Sequence, residues 1–342
     1  MSSALERRHY AIEPGLEAWL RALPKTETHV HLEGCIALEQ LQAADPERYA
    51  APPAFWDPDW RFADFAAFQR EFDEWIVPFH ADVERYADTA RHLFARCAAE
   101  GCRYVETSFH LPVLDHLDCS GPELLAAIRG AAPAGLEVRV VGGMMHVDYA
   151  RHGALLEAAL AWDDLYGIDL HGPEDLPVDT EFPDYWQRAR QAGKVTKAHA
   201  GEFQGADFVR WAVDALGVRR IEHGTRSIED PALVAHLAES GVVLDMCPIS
   251  NVKLAVEGVP EMAAHPLPEL LSAGVTVTVS TDDTFLFGNT LLEEYAALMT
   301  VHGLAPAQIG ALVRNGLDVA DLDPSTRAAL VAELDALVAT GP

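Results

Sequence analysis

Cationic side chains are scarce in this chain. Lys and Arg number 25 against 53 Asp and Glu in 342 residues, a formal charge of −28. A surface of that sign repels phosphate backbones and anionic lipid, so neither nucleic acid nor a membrane surface is expected as a partner. Long apolar runs are also missing. No uninterrupted stretch approaches the roughly 20 residues of a membrane span, and the N-terminal MSSALERRHYAIEPGLEAWL mixes Glu and Arg before any apolar segment, so neither export nor membrane insertion is expected. Cysteine is sparse: Cys35, Cys97, Cys102, Cys119 and Cys247 are odd in number and form no C-x-x-C, which excludes a disulfide scaffold and favours the reducing cytoplasm. Three signatures are absent as well: an H-E-x-x-H helix, a P-C-x-x-C pair and a G-x-S-x-G elbow.

What the chain does have is apolar residue, 49% of the total, arranged in short β-branched segments between longer Ala/Leu-rich stretches of helical spacing. Eight candidate strands follow one another: Thr26 to Leu32, Arg103 to Phe109, Glu137 to Met144, Leu165 to Leu170, Val195 to His199, Arg220 to His223, Val242 to Cys247 and Val275 to Thr281. Helical candidates lie between them at Pro122 to Arg129, Ala154 to Ala161, Asp184 to Gln191, Ala206 to Leu216 and Pro231 to Ser240. Eight strands in strict alternation are the number at which a parallel sheet closes, so the expectation is an α/β fold, a TIM (β/α)8 barrel, built as a single domain over residues 1–342. The stretch from about 38 to 100 is too long for one crossover. Its segment FADFAAFQREFDEWIVPF reads as one or two amphipathic helices over a barrel end, which would make Phe65 and Phe68 part of a lid on an apolar pocket.

The polar residues fall at strand ends. In THVHL, His29 and His31 sit two residues apart, about 6.6 Å along a strand and on one face, so both imidazoles can reach one ion. Alone, H-x-H is equally a hydrogen-bonded histidine pair. The fifth strand, however, ends in KAHAGE with His199 and then Glu202, the sixth in IEHG with His223, and the eighth in STDD with Asp282 and Asp283. In a barrel these ends share the C-terminal face, where catalytic groups gather. Three imidazoles and a carboxylate suit one zinc ion with an open position for water, although iron, cobalt or manganese could substitute. Such an ion activates water near neutral pH, which points to hydrolytic attack on an electrophilic carbon or phosphorus. A two-metal barrel hydrolase would carry a bridging lysine at the end of strand four. That strand instead ends IDLHGPE, and Lys197, deeper on strand five, reads as a paired interior cation.

The pieces PKTETHVHLEG, DLHGPE, HAGE, RIEHG, CPISN and STDD, in this order from about residue 24 to 289, resemble the adenosine deaminase family within the larger amidohydrolase group. The resemblance implies that His29, His31, His199 and Asp282 hold one zinc, that Glu202 gives a proton to N1 of a 6-aminopurine, and that His223 orients or deprotonates the attacking water. It further implies that Asp283 meets N7, that the Gly172 backbone N–H meets N3, that water adds to C6 and that ammonia leaves. Adenosine or a modified adenosine is the first expectation for the substrate, with free adenine or aminodeoxyfutalosine as alternatives. A mononuclear amidohydrolase acting on an amide, lactone or phosphoester is the alternative of another class. Two positions, Glu33 and Ser108, depart from the nucleoside-deaminase pattern, and one segment departs from that of the adenine-deaminating branch. Glu33 replaces an Asp that contacts ribose, so it is a candidate substrate-binding residue of altered reach. STDDTFLFGN lacks the proline usual after DD in the branch that deaminates adenine, and Ser108 stands where an Arg is general, leaving Glu106 to find another cation such as Lys197. Cys35 and Cys247 read as buried small hydrophobes.

Overall fold

The computed structural model describes residues 9–342; the first eight residues of the N-terminal segment discussed above lie outside them. Eight strands run in sequence: β1 (Lys25–Glu27), β2 (Cys102–His110), β3 (Glu137–Met145), β4 (Leu165–His171), β5 (Val195–Ala200), β6 (Arg220–His223), β7 (Val243–Met246) and β8 (Thr276–Val279). All pair in parallel, each with the next. The ring is closed between its first and last strands by a single bridge from Val30 to Asp282 and by the Ser280 hydroxyl, which accepts from the backbone N–H groups of Thr28 and His29. This is the expected TIM barrel, with a seam of side-chain bonds where a ladder would otherwise run.

Alternation along the strands explains its two layers. Val105, Val140, Ile168, Ala198, Ile221, Leu244 and Val277 are fully buried in the main apolar cluster that also takes in the surrounding helices. The residues between them put charge inside the barrel: Lys197 Nζ lies 2.8 Å from Glu222 and 3.1 Å from Glu106, and Arg220 lies 2.8 Å from Asp245 and 3.2 Å from Glu106. Barrel interiors are usually filled by branched apolar residues; here two cations and three carboxylates fill that space. Removing one partner would leave a buried charge uncompensated, a loss of about 3–5 kcal/mol. Glu106 therefore has two cations, Lys197 as expected and also Arg220.

The β1–β2 connection carries helices at Leu38–Ala44, Phe65–Trp75 and Val83–Ala99. Asp64 caps the second by accepting from Ala67 N at 2.7 Å. Its aromatic face joins a second apolar cluster with Phe55, Phe62, Phe285 and Phe287, in which Phe68 stacks on Phe287 at 5.6 Å. The helix Phe65–Trp75 thus lies against the loop that follows β8, over the C-terminal ends of the strands. No helix among the described residues is long and apolar enough to cross a membrane.

Candidate metal centre

His29 and His31 lie beyond the end of β1, on irregular backbone held by bridges from Val30 to Asp282 and from His31 to Ser108. The sequence places them on a strand, whereas β1 ends at Glu27; likewise β8 ends at Val279, three residues before Asp282. The side chains converge nonetheless. His31 Nε2 faces His199 Nε2 at 3.1 Å, and Asp282 Oδ1 lies 3.3 Å from His31 Nε2 and 3.7 Å from His29 Nε2. Tetrahedral bonds of about 2.0–2.1 Å to a common zinc would separate neighbouring ligand atoms by about 3.3–3.4 Å, so these spacings match a shared ion.

The orientation of each ring has a cause. His29 Nδ1 contacts the Asp245 carbonyl at 3.0 Å, and its Nε2 is buried with no hydrogen-bond partner. A proton on Nδ1 therefore leaves the Nε2 lone pair aimed at the others. His31 Nδ1 meets Ser108 Oγ at 2.8 Å, which gives that serine a role where the sequence reading saw only a missing arginine. His199 Nδ1 has the Leu170 carbonyl at 3.2 Å and carboxyl oxygens of Asp169 and Glu222 each at 3.0 Å. Burial lowers the pKa of His29 to about 4 and that of His31 to about 3, so both are the neutral imidazoles a metal requires. Burial opposes a proton on His199 too, but Asp169 and Glu222 outweigh it and hold its pKa well above the ordinary value. Binding at its Nε2 therefore leaves the Nδ1 proton on the carboxylate side. The donor set fits a metal ion.

Around this cluster stand the other expected residues. His223 Nε2 lies 3.4 Å from Glu202 Oε1 and 3.8 Å from Asp282 Oδ2. His223 and Asp282 both have φ of +67°, two of the three described non-glycine residues with positive φ. Such strain of about 1–3 kcal/mol persists only where surroundings impose it. The imposing residues come from CPISN, whose contribution the sequence reading missed. Ser250 Oγ donates to Asp282 Oδ2 at 2.6 Å, and Asn251 Nδ2 meets His223 Nδ1 at 3.1 Å while its Oδ1 accepts from Thr225 and faces His265. An amide that donates to Nδ1 fixes the His223 proton on Nε2, toward Glu202 and Asp282.

Glu202 is held by a residue the sequence reading also passed over. The buried Glu174 carboxylate accepts the backbone N–H groups of Glu202 at 3.1 Å, Phe203 at 2.9 Å and Gln204. Burial, then Asp282, then Glu174 itself raise the Glu202 pKa well above the ordinary carboxyl range. Asp283 is raised similarly, by burial and by Asp282. Gly34 makes room for it, since a Cβ there would lie 1.7 Å from Asp283 Oδ1. Glu33 is buried, accepts from His110 N at 3.0 Å and Tyr86 Oη at 3.3 Å, and is raised by burial to about 7.

One cavity of about 450 Å³ is bordered by His31, Glu33, His199, Glu202, His223, Asp282, Asp283 and Gly172 from below and by Phe65, Phe68, Phe72 and Ile76 from the lid side; His29 stands behind this lining. Phe65 also packs on Phe203, next to Glu202, at 5.4 Å. Among the described residues that line the cavity there is no Lys or Arg.

Comparison with known proteins follows the same lines. A family model described as adenosine deaminase matches residues 24–337. An adenine deaminase of Chelativorans sp. (strain BNC1) is 34% identical over 333 residues, covering 92% of this chain and 99% of that protein. The crystal structure of an adenine deaminase from Arthrobacter aurescens superposes with a TM-score of 0.82 at 26% identity, over 93% of this chain and 99% of that one. An amidohydrolase from Burkholderia ambifaria with bound zinc has the same fold, with a TM-score of 0.81 at 24% identity over 99% and 97% of the two chains.

Proposed function

The chain belongs to the adenosine deaminase family and is a hydrolase that deaminates aminopurines; from that premise we propose that it uses one zinc ion, held by His29, His31, His199 and Asp282, and that its substrate is a neutral 6-aminopurine. When bound, zinc supplies an activated water beside C6 of the ring. Glu202, kept protonated by its burial, gives its proton to N1. Asp283, protonated for the same reason, donates a hydrogen bond to N7, and the Gly172 N–H meets N3. His223, with Nε2–H held inward by Asn251, orients the attacking water together with Asp282, and Ser250 holds the second oxygen of Asp282. Phe65 and the lid exclude solvent, which strengthens each of these interactions.

One observation carries the reading: three convergent imidazole nitrogens and a carboxylate stand at a cavity with two buried acids and with no lysine or arginine in its described lining. A nucleotide's phosphate would enter a cavity whose described lining offers no lysine or arginine to pair with it, so nucleotides are disfavoured. The reading of a single zinc is supported by Lys197, which pairs with Glu222, one of the two carboxylates behind His199. Relatives named adenine deaminase support free adenine, alongside adenosine, as a substrate to test. The test is ammonia release by zinc-loaded protein on adenine, adenosine and AMP. Turnover of adenine or adenosine with AMP at least 100-fold poorer is expected, and no turnover of any aminopurine at full zinc occupancy would overturn the proposal. Glu202→Gln separates this from an amide, lactone or phosphoester hydrolase: deamination should fall below about 1% of wild type.

A further inference from the structure

The helical turn that begins at Asp283 ends under a residue from the opposite end of the chain. Asp283 O accepts the backbone N–H groups of Leu286 and Phe287, each at 3.0 Å, and so opens the turn Thr284–Phe287. A turn this short leaves carbonyls at its carboxyl end without backbone partners, and two side chains supply donors. The Trp56 indole N–H, from the β1–β2 connection, donates to Phe285 O. His9 Nε2 lies 2.7 Å from Phe287 O. Gly288, with φ of +65°, closes the turn in the left-handed region, and both rings pack against it: a Cβ there would stand 3.3 Å from Trp56 Cδ1 and 3.5 Å from His9 Nε2.

His9 is itself anchored. Its backbone N–H donates to Glu293 Oε1 at 2.6 Å, and Thr290 Oγ1 donates to the other oxygen of that buried carboxyl at 2.9 Å. Burial, and then Lys253, lowers the His9 pKa to about 4, so the ring is neutral and carries one N–H. A carbonyl partner requires that proton on Nε2. The next residue, Tyr10, packs against the apolar cluster of the lid helix. Phe287 thus joins three parts of the molecule: its carbonyl meets His9, its N–H meets the Asp283 carbonyl, and its ring stacks on Phe68 of the lid at 5.6 Å. Displacing Phe287 moves the backbone of Asp283.

We propose that His9 and Trp56 are positioning residues for Asp283: they clamp the carboxyl end of the turn that Asp283 opens, and so set the fit between its carboxyl group and N7 of the aminopurine. This rests on the reading above, in which Asp283 donates to N7. A carbonyl that loses its donor inside the protein drives the turn to relax toward another partner, and a shift of about 1 Å at a group that must meet the ring costs about 100-fold in rate. The metal ligands are held by other bonds, His29 by the Asp245 carbonyl, His31 by Ser108 and Asp282 by Ser250. Loosening the clamp therefore leaves the zinc site standing.

The test compares kcat/KM of the zinc-loaded enzyme within two substrate pairs, adenine with 7-deazaadenine and adenosine with 7-deazaadenosine, for wild type, His9→Ala, His9→Gln and Trp56→Phe, with zinc content and circular dichroism as controls. The deaza compounds carry C–H in place of N7, so the ratio within a pair reads the Asp283 contact. In His9→Ala the wild-type preference for the N7 compound should shrink at least about fivefold, through loss on that compound, while its deaza partner changes less than about twofold and zinc content is unchanged. His9→Gln, whose amide can donate to the Phe287 carbonyl, should recover part of the preference. Trp56→Phe keeps a ring and removes the N–H, and should shrink the preference in the same direction; if His9→Ala does not fold, this variant decides. An unchanged preference in a folded, zinc-loaded variant, or an equal fall on both members of a pair, would overturn the clamp and leave the deaminase reading intact. Equal use of both members by wild type would overturn the N7 contact itself, and the clamp with it.

Discussion

Glu174→Gln isolates the device that places the proton donor. The native carboxylate accepts three consecutive backbone N–H groups, those of Glu202, Phe203 and Gln204, and is 3% exposed. An amide keeps one oxygen and turns an NH2 toward the remaining donors. Each buried donor left without an acceptor costs about 1–3 kcal/mol, so the loop relaxes instead of holding its position. A displacement of about 1 Å at a reacting group costs about 100-fold in rate. We therefore expect kcat/KM on adenine to fall about 100-fold, chiefly in kcat, with zinc content unchanged. The charge gives a second readout. Glu174 raises the Glu202 pKa, behind burial and Asp282, so removing it lets that pKa fall. The active form of Glu202 is protonated and is lost as pH rises through its pKa. The alkaline limb of the kcat/KM profile should accordingly move to lower pH in the variant. Activity within threefold of wild type with an unmoved limb would refute the positioning argument, and loss of zinc would reassign the effect to the metal site.

The other predictions are independent of that loop. Gly34→Ala pushes a methyl group into the Asp283 carboxylate, so deamination should fall at least 100-fold while zinc stays bound, and normal turnover would show that Asp283 has no role at the ring. Ser250→Ala removes the 2.6 Å bond to Asp282, and zinc affinity measured against a chelator should weaken about 10–100-fold, as for other residues that support metal ligands. Burial raises Glu27 to about 8 in the folded chain, against about 4.3 unfolded, so the native state binds the extra proton and stability falls as pH rises between those values. Wild-type Tm should thus drop from pH 5 to pH 8, with a shallower drop in Glu27→Gln; parallel curves would remove Glu27 from the account. Replacing the acceptor N7 by C–H, as in 7-deazaadenine, leaves the Asp283 donor unpaired and should lower kcat/KM about 10–100-fold relative to adenine. Equal turnover would exclude that contact.

Strand order and the family resemblance were legible because barrel strands here are short β-branched runs with turn residues at both ends, and because the chemistry sits in compact motifs at those ends. Boundaries were harder to read. THVHL alternates like a strand, yet β1 stops at Glu27, because residues 28–31 pair through single bridges and the Ser280 hydroxyl. Periodicity cannot distinguish a bridge from a ladder. The supporting residues escaped for a different reason. Asp169, Ser108, Glu174, Glu222, Ser250 and Asn251 act on groups far away in sequence, such as Asn251 on His223 and Ser108 on His31. A serine or asparagine in a loop carries no local mark of such a partner. CPISN and DLHGPE did offer one signal, polar residues packed into the same short motifs as the recognised strand ends. The left-handed backbone at His223 and Asp282 is likewise invisible in residue type, since it is imposed by neighbours against both residues' preference.

The acid content of the chain and the chemistry of the cavity belong to one argument. Burial raises the pKa of Glu33, Glu202 and Asp283, with like charge adding to the rise at the last two, and no lysine or arginine among the described lining residues offsets them. Carboxyls in that setting cannot all ionise, so some stay protonated and act as donors at neutral pH. The edges of a 6-aminopurine that flank C6 present lone pairs at N1 and N7, and donors are what those positions require. A cationic residue in the same wall would draw these acids into ion pairs and abolish their donor capacity. The absence of lysine and arginine from that wall therefore preserves the donors the chemistry needs.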